Sequence, residues 1–183
     1  MKIMRLAFVM LLALICPALA EPANISWPDA IAQLTGERAR AETCAALLKK
    51  YGDDAQIARA QITYSTAKAD SDAVIAGLIT ALSAGQTPAS LSSLQTKLSS
   101  GVSGLVEFCG TVSNLLPKTD GQKGIATDIA KMVPVETLLN KLSDAISAIY
   151  DNIRIDDALT RKTIQTQLEA ARWPTFAEVK AAQ

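Results

Sequence analysis

The sequence predicts an all-α fold, an up-and-down bundle of four to five helices closed by one disulfide. Three observations lead there. Apolar residues recur at alternating spacings of three and four over long stretches, which places them on one face of a helix. No stretch alternates with period two over the length of a strand, and no Asn-Gly hairpin turn occurs. Beyond residue 20 the chain holds two cysteines, Cys44 and Cys109, at matching heights on two of the expected helices.

Residues 1–20 read as a secretion signal. Lys2 and Arg5 form a positive start, Leu6 to Ile15 is apolar, and Ala18-Leu19-Ala20 is a small-x-small cleavage site before Glu21. The apolar run is too short to span a bilayer and no stop-transfer segment follows it. Cys16 is preceded by Ile15, a poor setting for lipid attachment, and leaves with the signal. Residues 21–183 are then expected to form a single domain outside the cytosol, with its core over about 24–176 and its location periplasmic or secreted.

The first helix is expected from Trp27-Pro28-Asp29, capped by Ser26, with a stripe of Ile31, Leu34, Arg38, Ala41, Ala45 and Leu48 widened by Cys44, Leu47 and Tyr51. Gly52 reads as its C′ residue. Asp53 or Asp54 caps the second helix, whose seam is Ile57, Ala60, Tyr64, Ala67, Ser71, Val74, Leu78 and Ala81. Gly85 ends it, and Thr87-Pro88 starts the third helix, with a seam of Leu91, Leu94, Leu98, Gly101, Leu105, Phe108, Val112 and Leu115. Seams that hold a heptad over this length predict left-handed bundle packing.

Residues 117–124 read as a loop, and Ile125, Ile129 and Met132 as a short helical piece. Pro134 opens a fourth helix through Val135, Leu138, Leu142, Ala145 and Ile149. The periodicity slips near residues 153–156, so Asp156 or Asp157 is expected to cap a fifth helix that runs to Trp173. Pro174 stops it, and Lys180 to Gln183 read as a frayed end.

In up-and-down order the first and third helices run parallel. Cys44 lies eight residues before Gly52 and Cys109 eight before Pro117, so the two thiols stand at similar height. The bridge closes a loop of 65 residues, worth about 4 kcal/mol in the chain-entropy picture.

The chain contains no histidine. That removes the commonest general base and metal ligand, and with them Ser-His-Asp and Cys-His pairs, Glu-x-x-His metal bundles and histidine-ligated haem. Cys-x-x-Cys and Gly-x-Ser-x-Gly are missing as well. The sequence carries 18 basic and 18 acidic residues; two of the basic ones, Lys2 and Arg5, lie in the signal, so the remainder is at −2. A near-neutral domain offers no electrostatic case for nucleic acid or anionic lipid. Asp53/Asp54 and Asp156/Asp157 stand at helix starts, where caps are needed, and Asp70/Asp72 fall in a polar patch of the second helix.

Between Ala73 and Pro117 the only charged residues are Lys97 and Glu107. This uncharged hairpin reads as the buried centre of the bundle, or as a docking face on one side of it. Gly101, Gly104 and Gly110 on its second helix suit close approach of another backbone. Trp27 and Trp173 each precede a proline and are expected to close the ends of the core, while residues 172–176 could instead present an aromatic peptide to a partner.

The sequence therefore predicts an exported, non-enzymatic bundle that works by protein–protein contact, as an adaptor, an inhibitor or an envelope assembly factor. Its partner is an envelope or extracellular protein, or a second copy of the chain. The expected surface comprises Leu78, Leu82, Leu91, Ser93, Gly101, Gly104, Trp173 and Phe176. Carriage of a lipid or other apolar small molecule in the bundle core is the alternative. No cofactor, metal, nucleic acid or stable membrane insertion is expected.

Overall fold

Elementary capping chemistry sets the helix starts. The computed structural model describes residues 26–84, 91–116, 140–144, 146 and 157–183, and these contain helix and no strand. Helix α1 spans Trp27–Tyr51, α2 Asp54–Ala84, α3 Leu91–Leu115 and α4 Ala158–Ala170. Residues 140–144 are also helical and bring Leu142 into the core. The fold class is all-α, as the periodicity predicts. The signal, the start of the third helix at Thr87-Pro88, the loop at 117–124, the short piece at 125–132 and the start of the fourth helix at Pro134 lie outside the described residues.

Ser26 caps α1: its hydroxyl accepts from the Asp29 amide at 3.5 Å and donates to the Asp29 carboxylate, with Pro28 in the first turn. Of the two candidates for α2, Asp53 is the cap. The Gln56 amide donates to Asp53 Oδ1 at 2.8 Å and the Asp53 amide donates to Gln56 Oε1 at 2.9 Å, a reciprocal capping box. Asp157 caps α4 by accepting from the Thr160 hydroxyl and from the amides of Leu159 (3.1 Å) and Thr160 (3.0 Å); the hydroxyl first, and then the amides, hold its carboxyl below the usual carboxylate range. The extended backbone of Asp157 makes a helix start there, so the break expected near this point is present.

Helices α2 and α3 form an antiparallel pair with a clear register. As α3 rises, its partners on α2 fall: Leu94 lies against Gly77, Gly101 against Ser71, Gly104 against Ala67, and the Phe108 ring 5.2 Å from the Tyr64 ring. Helix α1 runs parallel to α3, and the two are joined by the Cys44–Cys109 disulfide with a Cα–Cα distance of 5.4 Å. Helix α4 runs antiparallel to α2, with Gln165 bonded to Ser83 and Arg172, just past its end, reaching the Asp72 carbonyl. The long α2 thus lies at the centre, touching α1, α3 and α4.

The core divides along the bundle axis into two clusters. One is built from Ile31 and Leu34 of α1, Val74, Ile75, Leu78 and Leu82 of α2, Leu94, Leu98 and Val102 of α3, Leu142 and Ile146, and Ile164 and Leu168 of α4; Trp27 packs against it. The other surrounds the disulfide and holds Leu47 and Leu48, Tyr64, Leu105, Phe108 and Val112. Among the described residues, no helix from the α4 side reaches this second half. Trp173, Phe176 and Val179, in the irregular segment after α4, fill it.

That segment corrects three expectations. Helix α4 ends at Ala170 and not at Trp173, because the residue before a proline is pushed out of the α region. Trp173 turns inward instead, and Tyr64 Oη donates to the Pro174 carbonyl at 2.8 Å. The chain end is tied down and not frayed: Lys49 Nζ donates to the Val179 carbonyl, Lys50 Nζ to that of Gln183, and the Ala182 amide to the Ala46 carbonyl at 3.0 Å. The core accordingly extends past residue 176 to Val179. Gly52 also differs from its expected role. Its backbone is extended (φ −83°, ψ 145°), and glycine is needed because a Cβ there would stand 2.8 Å from the Leu48 carbonyl oxygen.

Replacing Cys44 and Cys109 with alanine should lower the free energy of unfolding by about 2–5 kcal/mol in a urea titration. A thiol assay on the denatured, unreduced protein should find neither cysteine reactive, and reactivity of both would contradict the bridge.

Candidate contact surface

A contact surface must be exposed, so burial sorts the candidate residues directly. Leu78 and Leu82 are interior, at 0% and 1% exposure, and belong to the first core cluster. Trp173 and Phe176 are buried in the second. These four are corrected: they make the core and do not present a surface, because α1, α3 and α4 cover that side of α2 and Tyr64 gathers both aromatic rings. Phe176 and Trp173 lie 5.6 and 6.0 Å from the Tyr64 ring, so the aromatic tail is an internal ligand of this chain. Lys49 Nζ over the Phe176 ring, 4.9 Å from its centre, holds the tail further.

Gly101 and Gly104 explain themselves by packing. A Cβ on Gly101 would lie 3.3 Å from both the Ala67 carbonyl oxygen and the Ser71 amide, and one on Gly104 would lie 2.9 Å from Ala67 Cβ. They let α3 approach α2 closely and are corrected as surface residues. Gly110 is different. It is exposed and nothing lies near its missing Cβ, so close approach does not account for it.

Ser93 is the member of the expected surface that lies exposed. Leu91 heads α3, and its side chain lies outside what is described. With Ser93, the exposed face of α3 presents Gln95, Thr96, Ser99, Ser100 and Ser103. The outer side of the uncharged stretch is therefore hydroxyl-rich, and the stretch is only half buried. Its one cation here, Lys97, donates to Asp70 Oδ1 at 2.8 Å, and Ser100 bonds the other Asp70 oxygen. Lys97 and then Ser100 hold the Asp70 carboxyl below its ordinary range. Asp70 is thereby an α2–α3 tie and not merely a solvated side chain.

Where the two core clusters meet, polar groups form a belt. Lys68 Nζ lies 2.5 Å from Asp72 Oδ2, Arg172 bonds Glu169 and approaches Asp72 Oδ1 at 3.9 Å, and Arg38 bonds Glu42 at 2.9 Å and the Ala170 carbonyl. Ser65-Thr66-Ala67-Lys68 has the Ser-x-x-Lys spacing, which corrects the expectation that the sequence lacks it. Ser65 sits on the exposed outer face while the Lys68 ammonium is bonded to Asp72, so the two are not arranged as nucleophile and base.

The expected stripe of α1 runs through Arg38 and does not include Glu37, and this is corrected. Spacings 34, 37, 41 and 34, 38, 41 fit a helical stripe equally well. The structure buries Glu37 at 5% exposure and leaves Arg38 half exposed. Burial pushes the Glu37 carboxyl up to about 7, and the Arg40 guanidinium, 3.0 Å from Oε1, opposes that rise.

Two open clefts lie on the described surface. One, of about 480 Å³, runs between α1 and the C-terminal segment and is lined by Arg38, Glu42, Glu178 and Lys180 among others. The second, of about 680 Å³, lies on the outer face of α2 around Ile62. Among the described residues no helix is long and apolar enough to cross a membrane, and no group of three acidic or cysteine side chains is placed to hold a metal ion. Comparison with protein-family models, with characterised proteins and with solved structures gave no match to this chain.

The glycines give a test of the α2–α3 contact. Gly104→Ala should lower stability, because Ala67 Cβ is too close to accept a second methyl. Gly110→Ala, on the open side of the same helix, should raise it by about 0.5–1 kcal/mol. Thermal unfolding of the two variants reads the difference in sign.

Proposed function

We propose that this protein is an exported, non-enzymatic bundle that works by protein–protein contact through the outer face of α3. The observation that carries the reading is the character of that face: Ser93, Ser99 and Ser103 exposed, with the single cation Lys97 neutralised by Asp70 of the same chain. Burying such a face against a partner desolvates few charges and freezes few long side chains, the two costs that oppose association. The rest of the chain supports it as a rigid scaffold, since the disulfide, the close α2–α3 contact and the pinned C-terminus hold the face in place. The disulfide fits an oxidising location outside the cytosol, and the signal-like residues 1–20 are the sequence feature that leads there. The partner is an envelope or extracellular protein or a second copy, with adaptor, inhibitor and assembly roles all within the reading.

Ser93→Glu places a charge on this face and should weaken association at least several-fold while circular dichroism stays unchanged. Lys162→Glu, on the exposed side of α4, serves as control and should leave association intact. Sedimentation velocity reads self-association, and recovery of a partner from the envelope fraction reads hetero-association. A strictly monomeric protein that captures no partner with either sequence would remove the proposal. A lipid recovered from it by organic extraction would instead favour carriage of an apolar molecule.

A further inference from the structure

An ionised carboxylate inside a protein is stable only where hydrogen bonds or cations replace the water it has lost. Glu37 has half of that provision. Arg40 bonds Oε1 at 3.0 Å, while Oε2 is buried and has no hydrogen-bond partner among the described residues. The residue lies on the turn of α1 between Leu34, in the first core cluster, and Ala41, in the second. It therefore sits at the join between the two halves of the core, with Arg40 its one ion-pair partner among the described residues.

We propose that Glu37 is an acid-sensing element, whose ionisation loosens the join between the two core clusters and whose protonation tightens it. The other charged groups on the packed elements do not offset its charge. On α1, Arg38 is bonded to Glu42. On α2 and α3, Asp70 is paired with Lys97, and Lys68 with Asp72; Glu107 stands exposed on α3. Beyond α4, Arg172 bonds Glu169 and approaches Asp72, while Arg161 and Lys162 lie toward the far end of α4. On residues 140–146, which enter the first cluster through Leu142 and Ile146, Lys141 stands exposed and Asp144 half-buried, and in the C-terminal segment Glu178 and Lys180 stand exposed. Among the charged groups of the described residues, Arg40 is the one that acts on the Glu37 carboxyl.

The direction of the effect follows from linkage. In the unfolded chain Glu37 ionises near the ordinary value of 4.5, and in the folded chain at about 7. Below 4.5 both states hold the proton and the residue does not oppose folding. As pH rises from 4.5 to about 7 the unfolded state ionises first, so the folded state loses relative stability; above that interval the loss is constant. The protein is thus firmer in mildly acidic surroundings than at neutrality, on account of this one side chain.

The direct experiment follows the side-chain carboxyl carbon of Glu37 by NMR in the folded protein, with urea unfolding measured from pH 4.5 to 8. The carbon should titrate with a midpoint near 7, and the unfolding constant of the parent should rise at least tenfold relative to Glu37→Gln across that range. Glu37→Gln keeps the shape and cannot ionise, so its stability should lose this component of the pH dependence. Arg40→Gln removes the opposing cation and should move the midpoint upward, a shift that a purely structural role for Glu37 does not produce. A midpoint below 5 in the parent, or equal pH profiles for the parent and Glu37→Gln, would overturn the proposal.

Discussion

The Cys44–Cys109 bond joins the two helices that the chain's own connections do not pair. Helix α2 is antiparallel to each of its sequence neighbours, and those contacts follow from short connections and apolar seams. The parallel contact between α1 and α3 has no hairpin to enforce it, and a covalent bond does so instead. Around that bond the second core cluster assembles with Tyr64 at its centre. The remaining gap on the α4 side is filled by a segment that is not a helix. Without the bridge, α1 would be held to α3 by packing alone, and the pocket that receives Trp173 and Phe176 would lose a wall.

Much of this was legible in the residues. Most of the heptad seams of α1, α2 and α3 reappear as the buried faces, although Ile57, Ser71 and Leu115 are half-buried and Leu116 is buried in place of Leu115. Ser26, Asp53 and Asp157 cap helices where short polar residues precede apolar periodicity. The disulfide was legible because two cysteines at equal distances from helix ends must stand at equal height in parallel helices. What could not be read was set by tertiary context. Periodicity cannot choose between Glu37 and Arg38, since each completes a spacing of three and four; the neighbours decide, and they bury the acid. A short irregular tail has no period at all: Trp173, placed before a proline, reads as closing an end of the core, but Phe176 and Val179 gave no sign that they fill the gap left by α4. The glycines of α3 look alike in sequence, yet Gly101 and Gly104 face α2 while Gly110 faces outward.

These same features separate the interior from the candidate surface. Leucines of the uncharged hairpin are the core, and the serines between them are the outside. The polar belt at the middle of the bundle, from Lys68 and Asp72 to Arg172 and Arg38, ties α1, α2 and the end of α4 together, with Glu37 buried beside it. A scaffold held in this way keeps the outer face of α3 at a fixed geometry, which is what a contact surface with few charges requires.

The most direct measurement of that account is position-specific photocrosslinking in cells that produce the protein, with the reactive group placed at Ser99 on α3 or at Lys162 on α4. The account predicts a discrete adduct, to a partner or to a second copy, from Ser99 and none of the same mass from Lys162. No adduct from Ser99, or the same adducts from both positions, would contradict it.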